Sequence, residues 1–391
     1  MNQGKYVFAQ LATLLPKRQF DHIVNKHNGD KYVKHFSCWN QLLCMVFGQL
    51  TSRESLRDLI KVVSAHKDKT YHLGFGKNVS RDNLANANKK RDYRIFEEYA
   101  SHMMALARSC ISVKDDFHLN IEGNIYAVDA SIVDLCIDVF WWAQFRKQKA
   151  GIKIHAFHDV KTDVPAYINI TSAKEHDIIA LDKVKLESGA IYVLDRAYLD
   201  FSRLFKIETA DAYFVTRLKR NINFKRVYSN SESKQFTGIK SDQIIKLTSE
   251  RNKNNYPKKL RRIHFYDEEK SQAFEFVTNN MKLEAWEITR LYKDRWSVEL
   301  LFRWLKQHLK IKAFWGNTAN AVRIQIYAAI IGYCLVAILK EKNKTDYTIY
   351  EILQVLSLSY FDKTPVSQLV KNIDIHDASS ISFNQLNFSF K

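Results

Sequence analysis

Ile125-Tyr126-Ala127-Val128-Asp129 and Ile191-Tyr192-Val193-Leu194-Asp195 repeat one pattern, a short apolar run closed by an aspartate. Each reads as a buried strand, and a carboxylate just past such a strand is held at the sheet rim, where α/β folds place ligands. One strand-end aspartate alone usually bonds the next turn. Two in the same context carry more weight, because phosphoryl transfer with two metals needs carboxylates converging within about 4 Å of both ions. Residues 152–158 and 166–171 read as two further strands, with Val164-Pro165 as the turn between them. Short strands followed by helices indicate an α/β core.

The neighbouring segments differ in pattern. Residues 213–217, 223–228, 243–247, 261–266 and 273–277 read as strands, forming a basic β-rich block at about 205–280 with Arg217, Lys219, Arg220, Lys225, Arg226, Lys258, Lys259, Arg261 and Arg262. Upstream, residues 6–15, 19–25, 39–50 and 55–63 carry apolar positions at helical spacing, broken by Pro16, Asn28-Gly29 and Thr51-Ser52. After the Gly74-Phe75-Gly76 loop, Ser80 can cap a polar helix over residues 81–91. Its Arg81, Asn83, Lys89 and Arg91 suit a DNA-reading element, and a merely solvated helix is the plain alternative. The segments divide as 1–115, helical and DNA-binding; 120–340, the α/β core with its β-rich insertion; and 341–391, a helical segment with a Ser/Asn-rich tail.

Composition narrows the class. With 46% hydrophobic residues, 13% aromatics, 11 Gly and 4 Pro, the chain can build a core and has few flexible linkers, so disorder is excluded. Five scattered cysteines without a C-x-x-C argue against a disulfide scaffold or zinc ribbon and fit a reducing cytoplasm. Lys+Arg 60 against Asp+Glu 42 leaves +18, which points to a polyanion, nucleic acid before a membrane surface. Residues 1–15 do not read as a signal peptide, and residues 324–339 read as a buried helix because the apolar run is shorter than a span.

Residues 284–312 read as one long helix. At about 100° per residue, Tyr292, Arg295, Glu299, Arg303, Lys306 and Lys310 fall in one stripe, beside an apolar face of Leu291, Val298, Leu301, Phe302, Leu305 and Leu309. The apolar face seats the helix, which aims the stripe. One carboxylate among cations and a phenol makes sense if Glu299 holds a metal while its neighbours hold phosphates. A solvated charged face is the alternative.

Tyr292-x2-Arg295-x3-Glu299-x6-Lys306 resembles the Y-x2-R-x3-E-x6-K signature of bacterial insertion-sequence transposases of family four. Asp195-Arg196-Ala197-Tyr198 is similar to that family's second-aspartate motif, and Asp129 stands where its first aspartate belongs. Lys153-Ile154-His155 and Glu175-His176-Asp177 resemble its common context. The likeness covers residues 120–340 well and the N-terminal 110 less specifically. It implies a ribonuclease-H-like catalytic core interrupted by a β-rich insertion, with Asp129, Asp195 and Glu299 as catalytic ligands of two Mg²⁺ (or Mn²⁺) ions. Tyr292, Arg295 and Lys306, with Arg303 beside them, would contact DNA phosphates. Trp286, Phe274 and Phe276 are candidates for stacking a flipped base. The histidines 155, 158 and 176 read as structural or DNA-facing, and Trp141-Trp142 as packing between domains.

The implied activity is cut-and-paste transposition: binding the terminal inverted repeats of the element, cleaving its ends, and joining them to target DNA as a homodimer bridging two ends. The expected setting is a bacterial cytoplasm, on the nucleoid when DNA is bound, with no membrane partner. A structure-selective nuclease of the same fold, or a non-catalytic DNA-binding protein derived from a transposase, are the competing readings.

Overall fold

The computed structural model describes residues 4–76, 79–114, 117, 119–231, 238–308 and 314–371 of the 391. Six helices come first: α1 (Val7–Ala12), α2 (Lys17–Lys26), α3 (Cys38–Leu50), α4 (Leu56–Ala65), α5 (Arg81–Lys90) and α6 (Arg94–Cys110). Ser37, Ser55 and Ser80 cap α3, α4 and α5 by accepting a backbone N–H three residues on. Ser80 therefore does what the sequence suggested.

A ten-stranded sheet follows, built from β1 (Ile125–Leu135), β2 (Gln144–Arg146), β3 (Lys149–Asp159), β4 (Val164–Ser172), β5 (Ile191–Leu194), β6 (Tyr213–Arg217), β7 (Phe224–Asn230), β8 (Ile239–Leu247), β9 (Leu260–Asp267) and β10 (Gln272–Thr278). Its path is β2-β3-β1-β5-β6-β10-β9-β8-β7, and β4 also pairs with β3. Strands β1 and β4 both pair antiparallel with β3, whereas β5 runs parallel to β1, and β6 to β5. The hairpin strands β7 to β10 extend the same sheet antiparallel from β6. The β-rich block thus divides: β6 belongs with the parallel strands and only β7–β10 are added.

Helices α7 (Phe201–Thr209) and α8 (Glu250–Asn255) accompany the sheet, and α9 (Ala285–Asp294), α10 (Trp296–His308), α11 (Ala319–Asn343), α12 (Ile349–Ser359) and α13 (Val366–Leu369) follow it among the described residues. Alternation along the strands splits the core in two. Ile125 and Ala127 join a large cluster with the N-terminal helices and α9–α12, while Tyr126, Val128, Tyr192 and Leu194 join a second cluster with Leu204 and Ile207 of α7. The apolar run read as a buried helix is α11, buried from Ile324 to Leu339.

Three expectations need correction. Asp129 does not close its strand. β1 continues to Leu135 because residues 130–135 pair with β3, and only its β5 partner stops, at Leu194. Val164-Pro165 is not a turn but the start of β4, where a bulge at Phe157/His158 and a position on the sheet's edge tolerate proline. The long helix is two, α9 and α10, meeting at Arg295. Leu309, Lys310 and Lys312 of the expected helix, and the tail beyond Lys371, lie outside the described residues.

Candidate active site

The register of β1 and β5 places the two aspartates side by side. Val128 pairs with Leu194, so Asp129 and Asp195 are the next residues on parallel neighbours. By alternation Asp129 shares the face of Ile125 and Ala127, which α10 covers. Asp195 caps the short turn Arg196–Tyr198, its Oδ2 accepting the Ala197 N–H at 3.0 Å. Asp129 Oδ1 accepts its neighbour Ala130's N–H at 2.8 Å. Both carboxylates are thereby fixed by backbone.

Helix α10 supplies the third carboxylate. Val298, Leu301, Phe302 and Leu305 are buried, which seats the helix as the stripe argument required. Arg295 lies between the acids, its Nη1 3.4 Å from Asp129 Oδ2 and its Nη2 donating to Glu299 Oε1 at 2.6 Å. Two turns on, Lys306 Nζ donates to Ser131 Oγ at 2.6 Å and to the Ile132 carbonyl at 2.8 Å, pinning α10 to β1. The Tyr292 ring packs 4.8 Å from Phe276 and 5.7 Å from the Arg295 guanidinium. Arg303 is exposed on the flank, 6.0 Å from the Trp296 ring.

Charge is concentrated here. Burial, with added repulsion from Asp195 and Glu299, pushes the Asp129 carboxyl up to about 6, although the Ala130 N–H and Arg295 oppose it. All three acids offer oxygen donors, the chemistry that hard divalent cations prefer. As placed, the positive charge between Asp129 and Glu299 comes from Arg295. Among the described residues no group of three His, Cys, Asp or Glu side chains is close enough to grip a metal.

Other expected site residues separate from this centre. On α5, Arg81 pairs with Asp82 at 3.0 Å, while Asn83 and Lys89 are exposed. Arg91 contradicts the reading as a DNA contact. It is nearly buried, donates to Gln41 Oε1 at 3.0 Å and to the Phe36 carbonyl, and lies 3.7 Å from Asp30. Its position just past the helix turns it inward.

Among the stacking candidates Phe276 is buried, Phe274 is covered by Arg217 at 4.7 Å, and Trp286 is partly exposed. His155 is buried with its Nε2 2.9 Å from Thr171 Oγ1, and burial lowers it to about 4, so it is structural. His158 is likewise buried, against Asp163 at 2.8 Å. Trp142 packs as expected, donating to the Asn317 carbonyl at 2.7 Å, but Trp141 is 76% exposed. Sequence reasoning missed Ser131, which stands two residues past Asp129 and so on its face, and Trp296, whose seven-residue spacing from Arg303 was the available signal.

Residues 121–335 match the model of the transposase DDE domain, and residues 3–76 match a domain of unknown function, DUF4372. A protein of Sinorhizobium fredii named as a transposase, y4zB, is 33% identical over 64% of this chain and 71% of its own length. Proteins named as transposases for the insertion sequence elements IS5377 of Geobacillus stearothermophilus and IS4SA of Synechocystis are 29% and 25% identical. The first covers 56% of this chain and 57% of itself, the second 84% and 88%. The matched domain spans more than half of the chain and holds all three carboxylates, so the chain belongs to the DDE transposases of insertion sequences.

Proposed function

We propose that the chain is a cut-and-paste transposase of family four, which binds the terminal inverted repeats of its element, cleaves the ends and joins them to target DNA. The observation that carries this reading is the register that sets Asp129 beside Asp195, with Glu299 joined to Asp129 through Arg295 and Lys306 bonded to Ser131 two residues on. A ribonuclease-H-like core is the fold reading: three antiparallel strands, β4-β3-β1, are followed by the parallel β5 and β6. We further assign residues 1–115 to DNA binding, 120–340 to catalysis, and 341–391 to a C-terminal helical segment and tail.

The three carboxylates would hold two Mg²⁺ (or Mn²⁺) ions, and a cation there would offset the repulsion that Asp195 and Glu299 add to burial in raising the Asp129 carboxyl. Metal held there would supply Lewis acidity toward the attacking water or 3′-hydroxyl and toward the departing 3′ oxygen. The protein's own part is positional. Backbone bonds fix Asp129 and Asp195, the buried face of α10 aims Glu299, and Arg295, Arg303, Lys306 and Tyr292 grip the phosphates flanking the cut. Two protomers bridging two ends would complete the working complex.

The test uses purified protein, Mg²⁺ and a duplex carrying the element's own ends. Asp129→Asn, Asp195→Asn and Glu299→Gln should each reduce cleavage by at least about 100-fold, a loss comparable to that of one preorganised catalytic group. Binding of the duplex should persist. Retained cutting in any of the three removes that residue from the centre, and a free 3′ end that fails to join target DNA favours a nuclease instead.

A further inference from the structure

Arg295 and a divalent cation compete for the same carboxylate oxygens. The Arg295 Nη1 lies 3.4 Å from Asp129 Oδ2, and its Nη2 donates to Glu299 Oε1 at 2.6 Å. We propose that Arg295 is an interlock on the metal site, holding Asp129 and Glu299 closed to Mg²⁺ or Mn²⁺ until a substrate phosphate draws its guanidinium away. The inference rests on the proposed function and adds to it an order of events, substrate before metal.

The guanidinium is placed as a cation would be. Its side chain is 13% exposed, and its planar fork spans two acids from different elements, a task for which arginine is suited. Asp195, the next carboxylate along the sheet, stands beside Asp129 and adds to the charge that a cation must balance. A dication on the oxygens that Arg295 now bonds would stand against the guanidinium itself. Two cations so close, in a site shielded from water, repel strongly, so one must leave.

The backbone lets this side chain move while its targets stay. Arg295 is the junction residue between α9 and α10 and belongs to neither helix. Glu299 rides on α10, which is seated by the buried Val298, Leu301, Phe302 and Leu305 and tied through Lys306 to Ser131 and the Ile132 carbonyl. Asp129 is held by the pairing of β1 with β3 and by the Ala130 N–H. Withdrawing the guanidinium therefore asks only for side-chain rotation and leaves both acids aimed.

The pose is also incomplete, because Arg295 Nε is buried without a hydrogen-bond partner. A buried donor left unmet disfavours the arrangement that leaves it so. The two free oxygens of a phosphodiester can accept from Nε and one Nη together, the side-on fork that the present contacts leave unused. Substrate and metal then draw on alternative positions of one side chain, so each raises the affinity for the other. The chain would load its metals when DNA is in place, and would not carry an armed nuclease centre before that.

The experiment measures the Mn²⁺ affinity of the full chain from the electron paramagnetic resonance of the free ion, without DNA and with a duplex carrying the element's own ends. Without DNA, Arg295→Gln should bind Mn²⁺ about ten-fold more tightly than the wild type, within the usual range of coupling between sites. Arg295→Lys keeps the charge but not the fork, and should fall between the two. Arg303, exposed beside the Trp296 ring, supplies the control for charge alone, and Arg303→Gln should change the affinity by less than about two-fold. The duplex should tighten Mn²⁺ binding more in the wild type than in Arg295→Gln.

An Arg295→Gln chain that binds Mn²⁺ no more tightly than the wild type overturns the proposal. An equal gain in Arg303→Gln does so too, by reducing the effect to general charge. Thermal unfolding verifies the fold, and Arg295→Lys carries the test if Arg295→Gln does not fold. Adding Glu299→Gln to Arg295→Gln should remove the gain, and a gain that persists puts the ion elsewhere and overturns the interlock. Glu299→Gln alone, measured with the duplex, tests the carboxylates separately. Unchanged Mn²⁺ affinity there strikes the catalytic reading, whereas a weakened one leaves it standing whatever Arg295 does.

Discussion

Asp129 is where the residue scale yields a pH prediction. Its carboxyl rises from the ordinary 3.8 to about 6, burial being the largest cause and the Asp195 and Glu299 charges adding to it. The ionised form binds a cation, so Mg²⁺-dependent cleavage should fall as the pH drops through about 6. Metal-free stability runs the other way. A raised acid favours the fold fully below about 4 and loses that contribution as the pH rises through 6, worth about 3 kcal/mol over the two units. Comparing melting of the wild type and Asp129→Asn across pH 4 to 7 reads this directly, and a pH-independent difference would refute the shift. Asp129, Asp195 and Glu299 were picked out by strand pattern and a fixed spacing, which need no knowledge of contacts, and the register of β1 and β5 sets the first two side by side. Arg91 was misread because its composition is that of a DNA ligand, whereas its partners Gln41, Phe36 and Asp30 lie 50 or more residues away in sequence.

Among the elements, the strands of the added block were readable by their alternation, but what holds them to the rest was not. Arg261 on β9 and Asp242 on β8 are almost completely buried, with Nε–Oδ1 and Nη2–Oδ2 contacts of 2.9 and 2.7 Å. Arg261 also donates to the Leu283 carbonyl just before α9, so the pair ties the hairpins to the helices that carry Glu299. In sequence Arg261 was counted among the cations of the basic block, but it is buried and paired inside the fold. Removing one partner of a buried pair leaves the other uncompensated, so Asp242→Ala should cost about 3–5 kcal/mol. Urea unfolding measures it, and a loss below about 1 kcal/mol would mean that the pair does not hold the block in place. The division of the expected long helix has a related origin. Helical spacing continues through Arg295, so periodicity alone gave no sign of the junction between α9 and α10.

The whole molecule is knitted more tightly than three consecutive segments suggest. Helix α1 is closed by the segment that follows α12 and by α13: the Val7 N–H bonds the Asp362 carbonyl at 2.8 Å, and Gln10 accepts the Val366 N–H at 3.0 Å. Helix α11 is enclosed by both regions. Tyr327 donates to Glu97 on α6 at 2.5 Å, Asn320 donates to the Arg91 carbonyl at 2.6 Å, and Tyr333 reaches the Asp163 carbonyl beside β4 at 2.8 Å. On the other side of the N-terminal helices, Trp315 occupies the space left by Gly48, where a Cβ would stand 2.5 Å from its ring. Gly48→Ala should therefore cost about 1–3 kcal/mol by overpacking. The same enclosure governs truncation. The apolar content and scarcity of Gly and Pro announced that segments would pack together, but they could not reveal that α11 needs the N-terminal helices to cover it. A chain starting after residue 114 would expose α11 to water along the face that α3, α5 and α6 bury, a patch far larger than monomers tolerate. It should aggregate when expressed, and the full chain should melt in one transition with matching calorimetric and van't Hoff enthalpies. A soluble truncated chain with its own cooperative melt would show instead that the catalytic region folds alone, and that the helices meeting at α11 are docked rather than shared.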